Sequence, residues 1–178
     1  MSLDALRESL PAYAKDLSLN LSTLAGEETL SVQQKWGAFV ASAYATGSGP
    51  VIKAVLAAAR EAGLSEEAAA AAKGAAAIMG MNNVYYRSLH IMRHGEEYRT
   101  LPARLRMTII GNPGVEKSDF ELWSTAVSAI NGCGMCIDAH EAELKKHGVT
   151  NVQIQAALRI ASVVNAVACV AEAERAAG

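Results

Sequence analysis

Three observations predict an all-α fold for this chain. Strand signals are nearly absent, while apolar residues recur at helical spacing. Ser/Thr-x-x-Gln/Glu signatures, which close a helix N-terminus by reciprocal side-chain and backbone hydrogen bonds, recur at several places. Composition is the third: the chain is 51% hydrophobic but holds only two Phe, so its core must be built from Ala, Val, Leu, Ile and Met. Such small side chains let many helices meet at short distances. At 178 residues there is material for one domain with its own core and too little for two. The expectation is a single helical bundle spanning 1–178.

In chain order, Leu3 to Lys15 reads as a first amphipathic helix, bent near Pro11. Ser31-x-x-Gln34 is a capping box opening a helix to about Thr46. Gly47-Ser-Gly-Pro50 breaks it and puts Pro50 at the start of the next helix, which ends near Gly63. Ser65 caps a long alanine-rich helix reaching roughly Met92. Within it, Ala68 to Ala77 reads as a tightly packed central segment or a subunit interface. Arg93 to Lys117 is irregular, holding Pro102, Gly111-Asn-Pro113-Gly114 and a short apolar piece, Leu105 to Ile110. Ser118-x-x-Glu121 reads as another capping box, opening a helix that stops at Asn131-Gly132, a pair suited to a left-handed C-terminal cap. A helix then begins around Cys133 and ends at His147-Gly148. Thr150-x-x-Gln153 opens the last one, which runs to near the C-terminus.

The two halves echo each other. Trp36 and Val40 match Trp123 and Val127 at an offset of 87, and Gly63-Leu-Ser65 matches Gly148-Val-Thr150 at an offset of 85. Each half reads as helix, glycine break, helix, Gly-(Leu/Val)-(Ser/Thr) turn, long helix. The expectation is a degenerate two-fold repeat, about 31–92 and 118–176, with Trp36 and Trp123 as equivalent core anchors. The first-copy positions matching Cys133 and Cys136 are Thr46 and Gly49, so one thiol site per chain is expected.

Charge and composition narrow the function. A formal charge of −2 with acids and bases interspersed offers no basic stripe for a phosphate backbone, which argues against nucleic acid as a partner. The N-terminus carries acids and no apolar h-region. The most apolar stretch, Ile160 to Ala171, is too short to span a bilayer core of roughly 30 Å. No membrane association and a cytoplasmic location are expected. In that compartment a close Cys-x-x-Cys pair is catalytic or metal-binding rather than a structural staple.

One short stretch looks built for chemistry: Glu121, Cys133, Cys136 and His140, in the pattern Glu-x11-Cys-x2-Cys-x3-His. A thiol becomes a good nucleophile only on losing its proton. The pair opens a helix, where unpaired N–H groups and the positive dipole end favour a thiolate. Gly132 and Gly134 leave the approach to the sulfurs unobstructed. His140 lies four residues after Cys136, one turn away on the same face, where a base can take or shuttle the thiol proton. Glu121 begins the preceding helix. Some ten helical residues cover roughly 15 Å, so its meeting with the others depends on how the two helices fold back on each other.

Each residue also has a plainer reading. Glu121 is accounted for as the third residue of the Ser118 capping box. His140 suits a surface hydrogen bond, and His147 a dipole partner at a helix C-terminus beside Lys145 and Lys146. His90 and His94 read as solvated, and Cys169 as a small buried hydrophobe of the final helix. The two cysteines with His140 and Glu121 also compose a zinc ligand set, although structural zinc sites usually bring a second Cys or His pair.

Over essentially its full length the sequence resembles the alkyl hydroperoxide reductase D (AhpD) family, within the carboxymuconolactone decarboxylase-like superfamily. The resemblance is carried by Leu10-Pro-Ala-Tyr-Ala-Lys-Asp16, by Gly74-Ala-Ala-Ala-Ile-Met-Gly-Met-Asn-Asn-Val84 and by Glu121-Leu-Trp-Ser through His140. It implies a distinctive helical fold, a homotrimer and an antioxidant thiol redox role. Family members reduce the oxidised peroxiredoxin AhpC, and weakly reduce peroxides themselves. Their electrons come from the dihydrolipoyl group of a 2-oxoacid dehydrogenase subunit, recharged by dihydrolipoamide dehydrogenase, with no cofactor bound. Carried over, Cys136 is the attacking thiol that passes through a sulfenic acid with peroxide. Cys133 is the proton donor and resolving partner that forms the disulfide, while His140 and Glu121 form the proton relay. Well-known members place a His inside the Cys-x-x-Cys where this chain has Met135, which cannot carry a proton. Peroxide turnover slower than theirs is expected, with dithiol–disulfide exchange retained. The competing readings are a carboxymuconolactone decarboxylase-like enzyme acting on small carbon substrates, and a zinc-stabilised interaction module.

Overall fold

Side-chain caps and glycine or proline breaks set most helix ends in the computed structural model, which describes residues 1–178. Ten α-helices result: α1 (Leu3–Glu8), α2 (Lys15–Ala25), α3 (Val32–Thr46), α4 (Gly49–Glu61), α5 (Glu66–Ile91), α6 (Gly95–Arg99), α7 (Thr108–Gly111), α8 (Lys117–Ile130), α9 (Gly134–Lys146) and α10 (Asn151–Ala177). No strand forms. The Ser31/Gln34 and Thr150/Gln153 capping boxes are both present, and the Ser65 hydroxyl caps α5 through the Ala68 N–H.

The N-terminal region differs from the expected single bent helix. Pro11 has no N–H to donate, so α1 stops at Glu8, a 3-10 turn covers Ala12–Ala14, and α2 follows as a separate helix. The segment 93–117 holds two short helices, α6 and α7, each too brief for periodicity to reveal. Ser118 does not cap α8. That helix begins two residues earlier than a Ser118 cap would place it, with Glu116 at the N-cap and no side-chain cap bond. The carboxylate of Asp119 instead accepts from Gln33 Nε2 at 2.7 Å and Gln34 Nε2 at 3.0 Å, tying the starts of α3 and α8 together.

Helix α3 packs against α5, α8 and α10, and α8 against α5, α9 and α10, so α3 and α8 form the centre of the bundle. Trp36 and Trp123 are both buried, as expected of anchors. The Trp123 indole lies flush on the backbone of α3 and donates to the Gln34 carbonyl at 3.1 Å. That approach requires glycine at position 37, where an added Cβ would sit 2.1 Å from the Trp123 ring. Gly37→Ala is therefore expected to destabilise the fold by about 1–3 kcal/mol through overpacking. Denaturant melts of the variant check this: an unchanged midpoint would show that the α3–α8 crossing yields easily.

The alanine-rich part of α5 is buried within the chain's own core, at Ala68, Ala69, Ala71, Ala72, Ala75 and Ala76. Helix α10 is long and apolar enough to cross a membrane by length and composition. Here, however, it packs against α2, α3, α4 and α8 and buries eight residues, from Ile154 to Ala168. Cys169 differs from expectation. It falls on the outer face of α10 and is exposed rather than buried.

The helix lengths follow the pattern that prompted the repeat reading: α3, α4 and α5 have 15, 13 and 26 residues, and α8, α9 and α10 have 14, 13 and 27. By position in the helix, the N-cap of α9 is Cys133 and the N-cap of α4 is Ser48. Aligned by helix N-cap, Cys133 and Cys136 fall opposite Ser48 and Val51, whereas the 87-residue offset puts them opposite Thr46 and Gly49. Neither pair contains a thiol.

Candidate active site

Helices α8 and α9 fold back on each other through a three-residue connection, Asn131 to Cys133, and this hairpin builds the site. Asn131 closes α8, and Gly132 adopts φ +67°, a left-handed conformation that glycine takes without steric cost. The chain then enters α9 with Cys133 at its N-cap, where the Cys133 N–H is held by the Ser128 carbonyl at 3.0 Å. Cys136 lies in the first turn of α9. The two sulfurs are joined as a disulfide, with a Cα–Cα separation of 5.3 Å.

Their surroundings differ. Cys133 is completely buried, whereas Cys136 is 7% exposed and lines a pocket of about 290 Å³ between α5, α7 and α9. A group entering the pocket meets Cys136 first. The two hairpin helices also bring Glu121 against His140. His140 Nδ1 and Glu121 Oε2 are 2.6 Å apart, with both side chains largely buried. Glu121 therefore points inward as the partner of His140, not back along α8 as a cap. Helix packing removes the distance along the chain that had left this pairing open.

The other imidazole nitrogen, Nε2, lies 3.2 Å from the thioether of Met79 on α5. Both ring nitrogens of His140 are thus engaged, one by a carboxylate and one by a weak sulfur acceptor. His140 and Cys136 line the same pocket, yet neither ring nitrogen is bonded to a cysteine sulfur in this disulfide form. Proton transfer from Cys136 needs the imidazole to leave Met79 or a water to bridge the gap.

Helix α5 supplies neighbours of the site that the local cysteine pattern does not announce. Asn83 donates to Ser128 Oγ at 2.9 Å and accepts from Asn131 Nδ2 at 2.9 Å, while Arg87 donates to the Asn131 carbonyl. These bonds pin the turn that carries Cys133. A sequence signal does exist: the pair Asn82-Asn83 interrupts an otherwise apolar helical face, and Arg87 follows one turn later. Asn83 is completely buried and Asn82 only 5% exposed.

At the far end of α9, Glu143 accepts from Lys117 at 2.9 Å and from Lys146 at 3.0 Å, and His147 lies 3.4 Å away. The lysine hydrogen bonds hold the Glu143 carboxyl down at about 2, against an ordinary value of 4.5. A carboxylate lowered on folding adds stability above its unfolded value and loses it as pH falls through the folded one. The Lys117–Glu143 link between α8 and α9 should therefore weaken between about pH 4.5 and 2. Melting temperatures across that window should fall more steeply for the native sequence than for Glu143→Gln. Parallel curves would remove this pair from the acid response. The other histidines lie away from the site: His94 is solvated and faces Glu97 at 3.4 Å.

The model of the Carboxymuconolactone decarboxylase family matches residues 96–178, which include α7 to α10 and the whole cysteine hairpin. The chain is 63% identical to "Alkyl hydroperoxide reductase AhpD" of Maricaulis maris, over 98% of this chain and 99% of that protein. It is 62% identical to the protein of the same name from Hyphomonas neptunium, over 99% of this chain and 97% of that one. Identity to the Rhodopseudomonas palustris protein of that name is 56%, over 97% and 94% respectively.

Proposed function

The chain belongs to the AhpD family of alkyl hydroperoxide reductases, and on that premise we propose that its Cys133–Cys136 pair carries electrons from a dihydrolipoyl donor to an AhpC-type peroxiredoxin. The observation that carries this reading is the asymmetry of the bonded sulfurs: one sealed, the other at the wall of a pocket beside a paired His and Glu.

The cycle starts from the disulfide. A donor thiolate attacks Cys136 Sγ, and Cys133 leaves as a thiolate at the N-terminus of α9, where helix N–H groups favour its charge. The donor's second thiolate attacks its own bonded sulfur, closing the donor's cyclic disulfide and releasing Cys136. Two electrons have then moved to the protein, and two protons complete the thiols. In the second half, Cys136 gives up its proton toward His140, with Glu121 stabilising the imidazolium. It attacks the oxidised peroxiredoxin, and Cys133 resolves the mixed disulfide. A peroxide acting directly takes Cys136 to a sulfenic acid, which Cys133 condenses with to release water and restore the disulfide. A decarboxylase reading gives the bonded sulfurs no task.

Exposed apolar side chains on α5, α6 and the segment that follows, at Val84, Ile91, Tyr98 and Leu101, support assembly into the homotrimer that the family resemblance implies. A cytoplasmic location fits a dithiol that must be reduced in every cycle.

The test is a coupled assay. With lipoamide, dihydrolipoamide dehydrogenase and NADH, the protein should sustain NADH oxidation when oxidised AhpC is supplied. NADH oxidation no faster than without the protein, or stoichiometric zinc in protein purified without chelator, would overturn this reading.

A further inference from the structure

We propose that Asn82 is the residue that selects the electron donor, by hydrogen bonding a carboxamide carried on the donor's apolar chain. The inference rests on the dithiol-donor reading above and assigns a recognition element within that same pocket.

Asn82 lies on α5, is 5% exposed, and lines the pocket that also presents Cys136 and His140. Its Oδ1 is fully buried with no hydrogen-bond partner. The neighbouring Asn83 shows how this chain ordinarily treats a buried amide, with its donor and acceptor both engaged at 2.9 Å. A buried polar atom left unpaired is a penalty that a ligand donor placed there removes.

The remaining walls define what else the ligand must be. Met79, Met107 and Met135 contribute thioethers, and Tyr86 and Ile110 contribute apolar surface. Methionine side chains are adaptable and polarisable, so they accommodate an aliphatic chain or a sulfur-bearing ring. An apolar pocket with one unsatisfied amide oxygen suits a ligand with an aliphatic chain and a single neutral hydrogen-bonding group. The N–H of a secondary or primary carboxamide supplies the donor that Asn82 Oδ1 lacks. A dithiol on an aliphatic chain ending in an amide has all these parts, with its sulfurs free to reach Cys136. Asn82 touches the donor and takes no part in the electron transfer, which remains the exchange between donor thiolate and Cys136 described above.

The experiment compares two donors differing at one group. Dihydrolipoamide and methyl dihydrolipoate share the dithiol, the chain and the carbonyl, but the ester lacks the N–H. Reduction of the Cys133–Cys136 disulfide by each is measured for the native protein and for Asn82→Leu. In the native protein, kcat/KM for the amide should exceed that for the ester roughly tenfold, because the ester leaves Oδ1 unpaired. In Asn82→Leu the ratio should fall to near one, chiefly through KM for the amide. Being a ratio within one protein, it is insensitive to a general loss of active material. An equal preference for both donors in the native protein overturns the proposal even if the variant fails to fold. A ratio retained in the variant overturns it as well, while leaving the donor reading intact. No reduction of the native disulfide by either donor sinks both together.

Discussion

Cys136→Ser is expected to lower peroxiredoxin reduction by at least about a thousandfold, since loss of a nucleophile removes the covalent path itself. Cys133→Ser is expected to be as inactive in turnover but to differ in what accumulates. Cys136 lines the pocket while Cys133 is sealed beneath it, so only Cys136 can bond to an incoming molecule. Without Cys133 that bond has no internal thiol to resolve it. The Cys133→Ser protein should therefore collect as a mixed disulfide with oxidised AhpC, visible on a non-reducing gel, and the Cys136→Ser protein should not. The reverse pattern would exchange the roles of the two sulfurs. Thioredoxin-like pairs make the first cysteine the attacker, so this result also separates the present fold from that analogy.

The second large effect concerns the buried pair of Glu121 and His140, 2.6 Å apart on facing helices. A positioned acid–base group contributes about 10²–10⁴ to a rate, and His140→Leu should lose an amount in that range. It should also destabilise the fold by about 3–5 kcal/mol, because Glu121 is left buried without its partner. The double variant Glu121→Leu/His140→Leu is the informative one. Replacing both members of a buried pair by apolar residues removes the stranded charge, so most of the stability should return while the rate stays low. Chemical denaturation and exchange kinetics on the three variants check this. Activity returning together with stability would make the pair structural.

Much of this arrangement was legible in the sequence because it is written locally. The boxes at Ser31 and Thr150 and the glycines at 47, 132 and 148 fix helix ends through neighbouring atoms, and each appears where its local chemistry places it. The chemistry-bearing cluster was equally visible, since an i, i+4 spacing on one helix and a tight turn to the next suffice to gather it. What was not legible depends on contacts far along the chain. Ser118 and Glu121 have the spacing of a capping box, yet Glu121 turns inward because His140 offers a better partner once α9 folds back. Met79, Asn82, Asn83 and Arg87 belong to α5, and no local pattern ties them to cysteines some fifty residues later. Cys169 shows a similar limit. An apolar run on a long helix says that one face is buried, and the register of neighbouring helices decides which.

Turnover depends on Cys133 and Cys136 passing back and forth between a bond and two thiols. Intact mass spectrometry with a thiol alkylator reads this directly. The native protein should take up no label at these two positions, gain two labels after treatment with dihydrolipoamide, and lose both again when oxidised AhpC is added before labelling. Two labelled thiols at the outset, unchanged by donor or acceptor, would contradict it.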